Sequence, residues 1–406
     1  MGSFYLQDRD RVVFYGDSIT EQRYYSSFVE TYVLTRFPRL RVDFINSGWG
    51  GDRVTGGGGG GIDLRLRRDV LAYRPTVVTI MLGMNDGRYR PFDATTFASF
   101  SLGYRHIVDQ LRLQLPNARL TVIEPSPYDD ITRPPEFADG YNAVLKRYGE
   151  FVRGLASYES IISVDFNSPV VAMLAKAKAL EPGMAAKIIP DRVHPTPGGH
   201  LIMAAALLRA WHAPAVVTTV QIDGASGRVI RAVNSHVRDL RRDDGLTWTQ
   251  LDGALPMPVN LKDPLIELVV RSSDFTAELN QEQLVVTGLE AGGFTLKIDG
   301  KLMGTFTSEE LARGVNLALL PTPMYAQARA VNELTLRHNN LHATRWRGIE
   351  PLNAEATTDA LKRAIPRMVS ALDEEEASVV ARQRTLAQPE PHRYEVIEAN
   401  AAPLPQ

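Results

Sequence analysis

Two hydrophobic signatures alternate through the first half of the chain. Short β-branched and aromatic runs lie near 11–15, 41–45, 76–82, 118–124 and 160–164, the pattern of buried strands. Between them are longer stretches near 21–37, 95–115, 136–156 and 198–211. Their apolar residues recur on one face, as Phe28, Val29, Tyr32 and Val33 do. The uninterrupted apolar run at 76–82 is typical of a central parallel strand. Alternating β and α segments predict an α/β fold, a mostly parallel sheet covered by helices on both faces.

The pattern changes after Trp211, and Pro214 marks a boundary. Runs at 216–222, 229–237, 246–251, 265–271, 283–287 and 294–298 are short and strand-like, and Gly and Asp punctuate them. They predict a small antiparallel β domain, a sandwich or a barrel. Ile298-Asp299-Gly300-Lys301 has the signature of a tight hairpin turn, and Thr307-Ser308-Glu309-Glu310 that of a capping box opening a short helix. Residues 321–337 and 359–384 are expected to be helical, and the Pro-rich end from Gln388 loosely ordered. The division that follows is 1–214, a β-rich accessory domain 215–306, a helical segment 307–387 and a tail 388–406.

Four peptides in the first part carry chemistry. Gly16-Asp17-Ser18 ends the first strand, and a serine at a strand-to-helix turn presents its hydroxyl at the sheet's carboxyl edge. Ser18 or Thr20 could equally be an N-cap there. Asn46-Ser47-Gly48-Trp49-Gly50-Gly51-Asp52 follows the second strand, and a glycine exposes its backbone N–H as an oxyanion hole requires. The alternative is an ordinary strand-to-helix connection. Gly83-Met84-Asn85-Asp86 brings a carboxamide to the same edge, unless Asn85 and Asp86 only close a turn. Asp191-Arg192-Val193-His194 places a carboxylate three residues before an imidazole, a spacing that lets one orient the other. His200 opens an apolar helix and is read as structural or capping, and His106 as a surface or packing residue.

In order and context these peptides resemble the SGNH (GDSL-type) serine hydrolase family, over roughly Asp8 to Trp211. The resemblance implies a three-layer α/β/α sandwich with a mostly parallel sheet. It implies Ser18 as nucleophile, His194 as base and Asp191 as its acidic partner, with an oxyanion hole made by the amides of Ser18 and Gly51 and the side chain of Asn85. Met84 stands where many members have a second glycine. The implied activity is hydrolysis of carboxylic esters through an acyl-enzyme, without metal or organic cofactor. With an extra β module and no long apolar lid segment, the expectation is a short acyl group, acetyl, on a carbohydrate. The alternatives are a lipase or thioesterase acting on small lipid or aryl esters and, in a different class, a non-catalytic glycan-binding protein on a hydrolase scaffold.

Composition narrows the partners. A net charge of −2 gives no electrostatic case for nucleic acid or an anionic membrane surface. No stretch approaches the ~20 apolar residues of a membrane span. With 0 cysteines there is neither disulfide nor thiolate zinc site. Met1 to Asp10 is short and polar with no signal peptide, so a mature exported form is one reading of this start. Six consecutive glycines, Gly56 to Gly61, are followed by Ile62-Asp63 rather than Lys-Ser/Thr, which argues against a nucleotide loop and for plain flexibility. The β module is expected to cap one wall of the cleft, with a glycan platform built on Trp248 as the other reading.

Overall fold

The computed structural model describes residues 3–399. Its first sheet runs in the order Asp43–Gly48, Arg11–Gly16, Val77–Met81, Arg119–Glu124, Ile162–Asp165. Every pairing in it is parallel. The strands are parallel because each is followed by a helix long enough to carry the chain back. The helices Tyr24–Arg36 and Pro197–Ala210 pack together, as do Ala94–Gln114 and Gly140–Glu159, giving the expected three layers. Helices Ile62–Asp69 and Asn167–Leu180 were not anticipated: the first is short and mostly charged, while the second buries Val170, Met173, Leu174 and Ala177 at helical spacing.

The chain begins in the middle of this sheet, builds one edge, then crosses to the other side. The direction of winding therefore reverses between Arg11–Gly16 and Val77–Met81. Loops leaving those two carboxyl ends diverge and open a crevice, the usual ligand position in such sheets. Ser18 stands at the head of the short helix that follows the first of these strands, and Asn85 in the turn that follows the second.

Beyond residue 215 two further sheets pack face to face. One has the order Ser235–Arg242, Leu246–Asp252, Pro391–Glu398, Gly293–Ile298, Lys301–Thr307; the other is Val315–Asn316, Gln281–Thr287, Val216–Asp223, Arg228–Val233. Val220, Ile222, Trp248, Leu284, Leu296 and Tyr394 fill the space between them. Asp299 and Gly300 take φ of 50° and 73° in the expected hairpin turn, and the capping box at Thr307 and Glu310 is formed.

Three expectations fail here and one is refined. Residues 391–398, placed in a loose tail, form a central strand with partners on both sides. Tyr394 and Val396 point into the core, an alternation that Pro389 and Pro391 obscured. Residues 400–406 of that tail lie outside the described residues. Pro264–Arg271 is a helix rather than a strand. Asp263 caps it through Leu265 and Ile266, and Pro264 sits in its first turn, a start signal that outweighs the β-branched composition. The β module is antiparallel as expected except at one pairing, where Val216–Asp223 and Gln281–Thr287 run parallel across a long connection. Finally, Met257, Leu268, Val269, Phe275 and Leu279 belong to the core of the first sheet, so 215–306 is not a separate unit.

The module is anchored by Arg36, whose guanidinium donates to the carbonyls of Pro214 at 2.9 Å, Val216 at 3.1 Å and Leu279 at 3.0 Å. Arg36 ends the Tyr24–Arg36 helix, which begins just after the Ser18 turn. At 1.5 Å per residue that helix separates the anchor from Ser18 by roughly 20 Å.

The C-terminal helices Pro323–Ala343 and Asp359–Leu386 pair and fold back onto Tyr24–Arg36. The buried Glu30 carboxylate accepts from Asn339 Nδ2 and Gln383 Nε2, each at 2.9 Å, and meets His338 Nδ1 at 2.9 Å. Burial opposes charge on His338, but the carboxylates of Glu30 and Glu376 outweigh it and push the imidazole up to about 10. It is an imidazolium tying the C-terminal helices to the catalytic layer.

Candidate active site

Gly16 has to be glycine. A Cβ there would stand 2.2 Å from Thr20 Oγ1 and 2.8 Å from Met81 O, so the strand can turn straight into the short helix Ser18–Glu21 only without one. Asp17 caps that helix, accepting from Ile19 N at 3.0 Å, so neither Ser18 nor Thr20 is its N-cap. Ser18 heads the helix and is half-buried.

The loop after Pro190 completes the arrangement. His194 Nε2 lies 2.8 Å from Ser18 Oγ, and His194 Nδ1 lies 2.6 Å from Asp191 Oδ2. The other Asp191 oxygen accepts from the backbone N–H of Val193 at 3.0 Å and of His194 at 2.8 Å. Burial would raise the Asp191 carboxyl, but the hydrogen bonds from the His194 amide, the His194 ring and the Val193 amide hold it below the usual carboxylate range. An ionised carboxylate at Nδ1 fixes the tautomer that leaves Nε2 free to accept the Ser18 proton.

Gly51 takes φ of 76°, and a Cβ there would meet nothing within 4 Å, so its backbone borders open space. The preceding Gly50 lies against the same turn, with a Cβ there 4.0 Å from Ser18 Cβ. Asn85 Nδ2 donates to the Asp52 carbonyl at 3.0 Å, which joins the second and third peptides. Tyr89 donates its hydroxyl to Asn85 Oδ1 at 2.8 Å. All four sequence-predicted peptides therefore converge on one crevice.

Underneath, the fully buried Arg65 guanidinium pairs with Asp52 at 2.6 Å and with Asp69, and donates to Ser47 O at 2.9 Å. It also lies 5.3 Å from the Trp49 ring centroid. Burial pushes the carboxyls of Asp17 and Asp86 each up to about 7. The glycine run is not a loose loop. Gly56–Gly57 and Gly60–Gly61 form a small hairpin. A Cβ on Gly59 would come within 2.7 Å of both the Trp49 ring and Arg65, so these glycines allow close packing.

His200 is buried and stacked on Tyr25, with Nε2 2.9 Å from Gln22 Oε1; burial pushes it down to about 3, so it is neutral. Its place is inside the Pro197–Ala210 helix, not at its cap. His106 is on the surface beside Asp63.

Sequence reasoning missed the far end of the chain. Trp346 donates to Asp69 Oδ1 at 2.7 Å, and His342 Nε2 reaches Asn46 O at 3.1 Å. Arg347 pairs with Glu21 and lies 4.4 Å over the Trp49 ring. It is this segment, rather than the sheets of the β module, that flanks the Ser18 turn. No local signal could have placed residues that lie 277 and 296 positions from their partners. Tyr89 was missed as well, because it reaches Asn85 through positive φ at Arg88 and Tyr89 without Gly or Asn to announce the turn.

Residues 14–202 match the GDSL-like lipase/acylhydrolase family. An acetylxylan esterase of Geobacillus stearothermophilus is 28% identical over 225 residues, covering 49% of this chain and 93% of that protein. A solved gut microbial diltiazem-metabolizing enzyme is 24% identical, with a TM-score of 0.83 over 98% of this chain and 100% of that one, so its fold extends through the β module and C-terminal helices. The crystal structure of an acetylxylan esterase from Geobacillus stearothermophilus is 25% identical and covers 51% of this chain, with a TM-score of 0.41. Residues 14–202 are thus a GDSL-like lipase/acylhydrolase domain, and the chain is a carboxylic ester hydrolase.

Proposed function

We propose that Ser18 is the nucleophile of a two-step acyl transfer, with His194 as its base and Asp191 as the carboxylate that orients the ring. The observation that carries this reading is the 2.8 Å contact between Ser18 Oγ and His194 Nε2, across 176 positions of chain. His194 takes the Ser18 proton as the oxygen attacks the ester carbonyl. The tetrahedral oxyanion is held by the amides of Ser18 and Gly51 and by the free N–H of Asn85. His194 then gives the proton to the departing alcohol. Water repeats the sequence on the acyl-enzyme and restores Ser18.

The substrate we propose is a short acyl ester, an acetyl group, on a carbohydrate alcohol. The support is the 28% identity to an acetylxylan esterase over nearly the whole of that protein. The test is hydrolysis of p-nitrophenyl acetate, p-nitrophenyl octanoate and acetylated xylo-oligosaccharides by wild type and by Ser18→Ala. The expected result is a loss of roughly 10⁴-fold or more in Ser18→Ala, with acetate preferred to octanoate. Equal rates for the two proteins would remove Ser18 from the mechanism, and a preference for octanoate would remove the acetyl assignment.

A further inference from the structure

The turn that follows Asn85 is built at visible expense. Arg88 and Tyr89 both have φ of 56°, a left-handed pair with no glycine or asparagine in it. Such residues persist only where the surroundings over-determine them, and they cluster at functional sites. The surroundings here are aromatic. The Tyr89 ring packs 5.1 Å from that of Tyr141 and 6.1 Å from that of Tyr128. Tyr141 donates its hydroxyl to Met84 O at 2.6 Å, which pins the backbone just before Asn85. Gly87 is required because a Cβ would stand 2.6 Å from that hydroxyl.

The product of this construction is one hydrogen bond, from Tyr89 Oη to Asn85 Oδ1. A primary amide can be turned over about its terminal bond, which exchanges oxygen and nitrogen. The Tyr89 hydroxyl and the Asp52 carbonyl recognise opposite ends of it. With Oδ1 held by the phenol and one N–H held by Asp52, the remaining N–H has a single direction. A donor fixed before the charge develops needs no reorganisation when it does.

We propose that Tyr89 is a positioning residue for ester hydrolysis: its hydroxyl holds the Asn85 carboxamide in the orientation that presents an N–H to the oxyanion. This rests on the oxyanion role given to Asn85 above. Tyr89 is 39% exposed at the crevice rim, so Tyr89→Phe keeps the ring packing and removes only the hydroxyl.

The experiment is a double-mutant cycle on p-nitrophenyl acetate with wild type, Tyr89→Phe, Asn85→Ala and the double variant, measuring kcat, KM and Tm. Tyr89→Phe is expected to lower kcat about tenfold, with KM within a factor of two and Tm unchanged. Asn85→Ala is expected to lower kcat by about 10²–10³-fold, and the double variant to match it, since Tyr89 then has nothing to orient. If Tyr89→Phe turns over like wild type while Asn85→Ala is impaired, the inference is overturned and the oxyanion reading stands. Additive losses would also overturn it, because Tyr89 would then act on something other than Asn85. Wild-type activity in Asn85→Ala would overturn the oxyanion reading itself.

Discussion

Gly48 ends the strand beside that of Gly16, and a methyl group at this position would collide with the turn carrying Ser18. An ideal Cβ on Gly48 lies 2.1 Å from Glu21 N, 2.5 Å from Thr20 C and 2.7 Å from Glu21 Cα. All three are backbone atoms of the Ser18–Glu21 helix, so no side chain can rotate away. Ordinary contact begins at 3.4 Å, and 3.4 − 2.1 leaves 1.3 Å to be made up by movement of the main chain. The 2.8 Å approach of Ser18 to His194 has no such slack. Misplacing a reacting group by about 1 Å can lower the rate on the order of 10²-fold. Overpacking a well-filled site costs about 1–3 kcal/mol, which lowers Tm by only several degrees in a chain of this size. Gly48→Ala should therefore fold, melt slightly early, and lose on the order of 10²-fold in kcat on p-nitrophenyl acetate. The control is Gly154→Ala, an exposed helical glycine whose Cβ would meet nothing within 4 Å. It should keep full activity and gain about 0.5–1 kcal/mol. A Gly48→Ala enzyme within a factor of two of wild-type kcat would refute the claim that this backbone contact sets the place of the nucleophile.

Two further outcomes follow from the structure. Burial pushes Asp17 up to about 7 in the folded chain, against ~3.8 unfolded. Between those values the folded state keeps a proton that the unfolded state has shed, so stability falls as pH rises through this window, by up to about 4 kcal/mol from this group. Asn keeps the N-cap and cannot ionise. Asp17→Asn should thus be the more stable protein in denaturant titrations at pH 8, with the difference vanishing by about pH 4; no gain at pH 8 would contradict the buried-carboxyl argument. Trp346 is buried, donates to Asp69 and meets Trp49 edge-on at 5.6 Å. Trp346→Ala should cost about 3–5 kcal/mol and depress turnover, and an unchanged Tm with full activity would show that the C-terminal segment does not support the site.

Much of the catalytic layer was legible from local pattern. The first four strands of the first sheet are buried on both faces, so hydrophobicity alone marks them, and Ser18, Gly51 and Asn85 follow such strands directly. Asp191 and His194 sit three apart on one loop, so their contact is nearly a local event. The Asp299-Gly300 hairpin and the Thr307 capping box were visible for the same reason, being decided within four residues.

What depended on distant partners was not legible. Pro391–Glu398 is a strand because two other strands flank it, and alone its prolines and charges suggested a tail. Pro264–Arg271 carries β-branched residues that a strand would welcome, yet its capped start and the Pro197–Ala210 helix it packs on make it a helix. Arg36 anchors the β module, and Arg347 flanks the Ser18 turn, only because the chain returns to them from far away. Local spacing thus determined which groups face the crevice, since strand ends and tight turns are settled by neighbours along the chain. The surroundings of those groups, from the phenol that holds Asn85 to the imidazolium that ties down the C-terminal helices, were decided only when long-range packing brought them together.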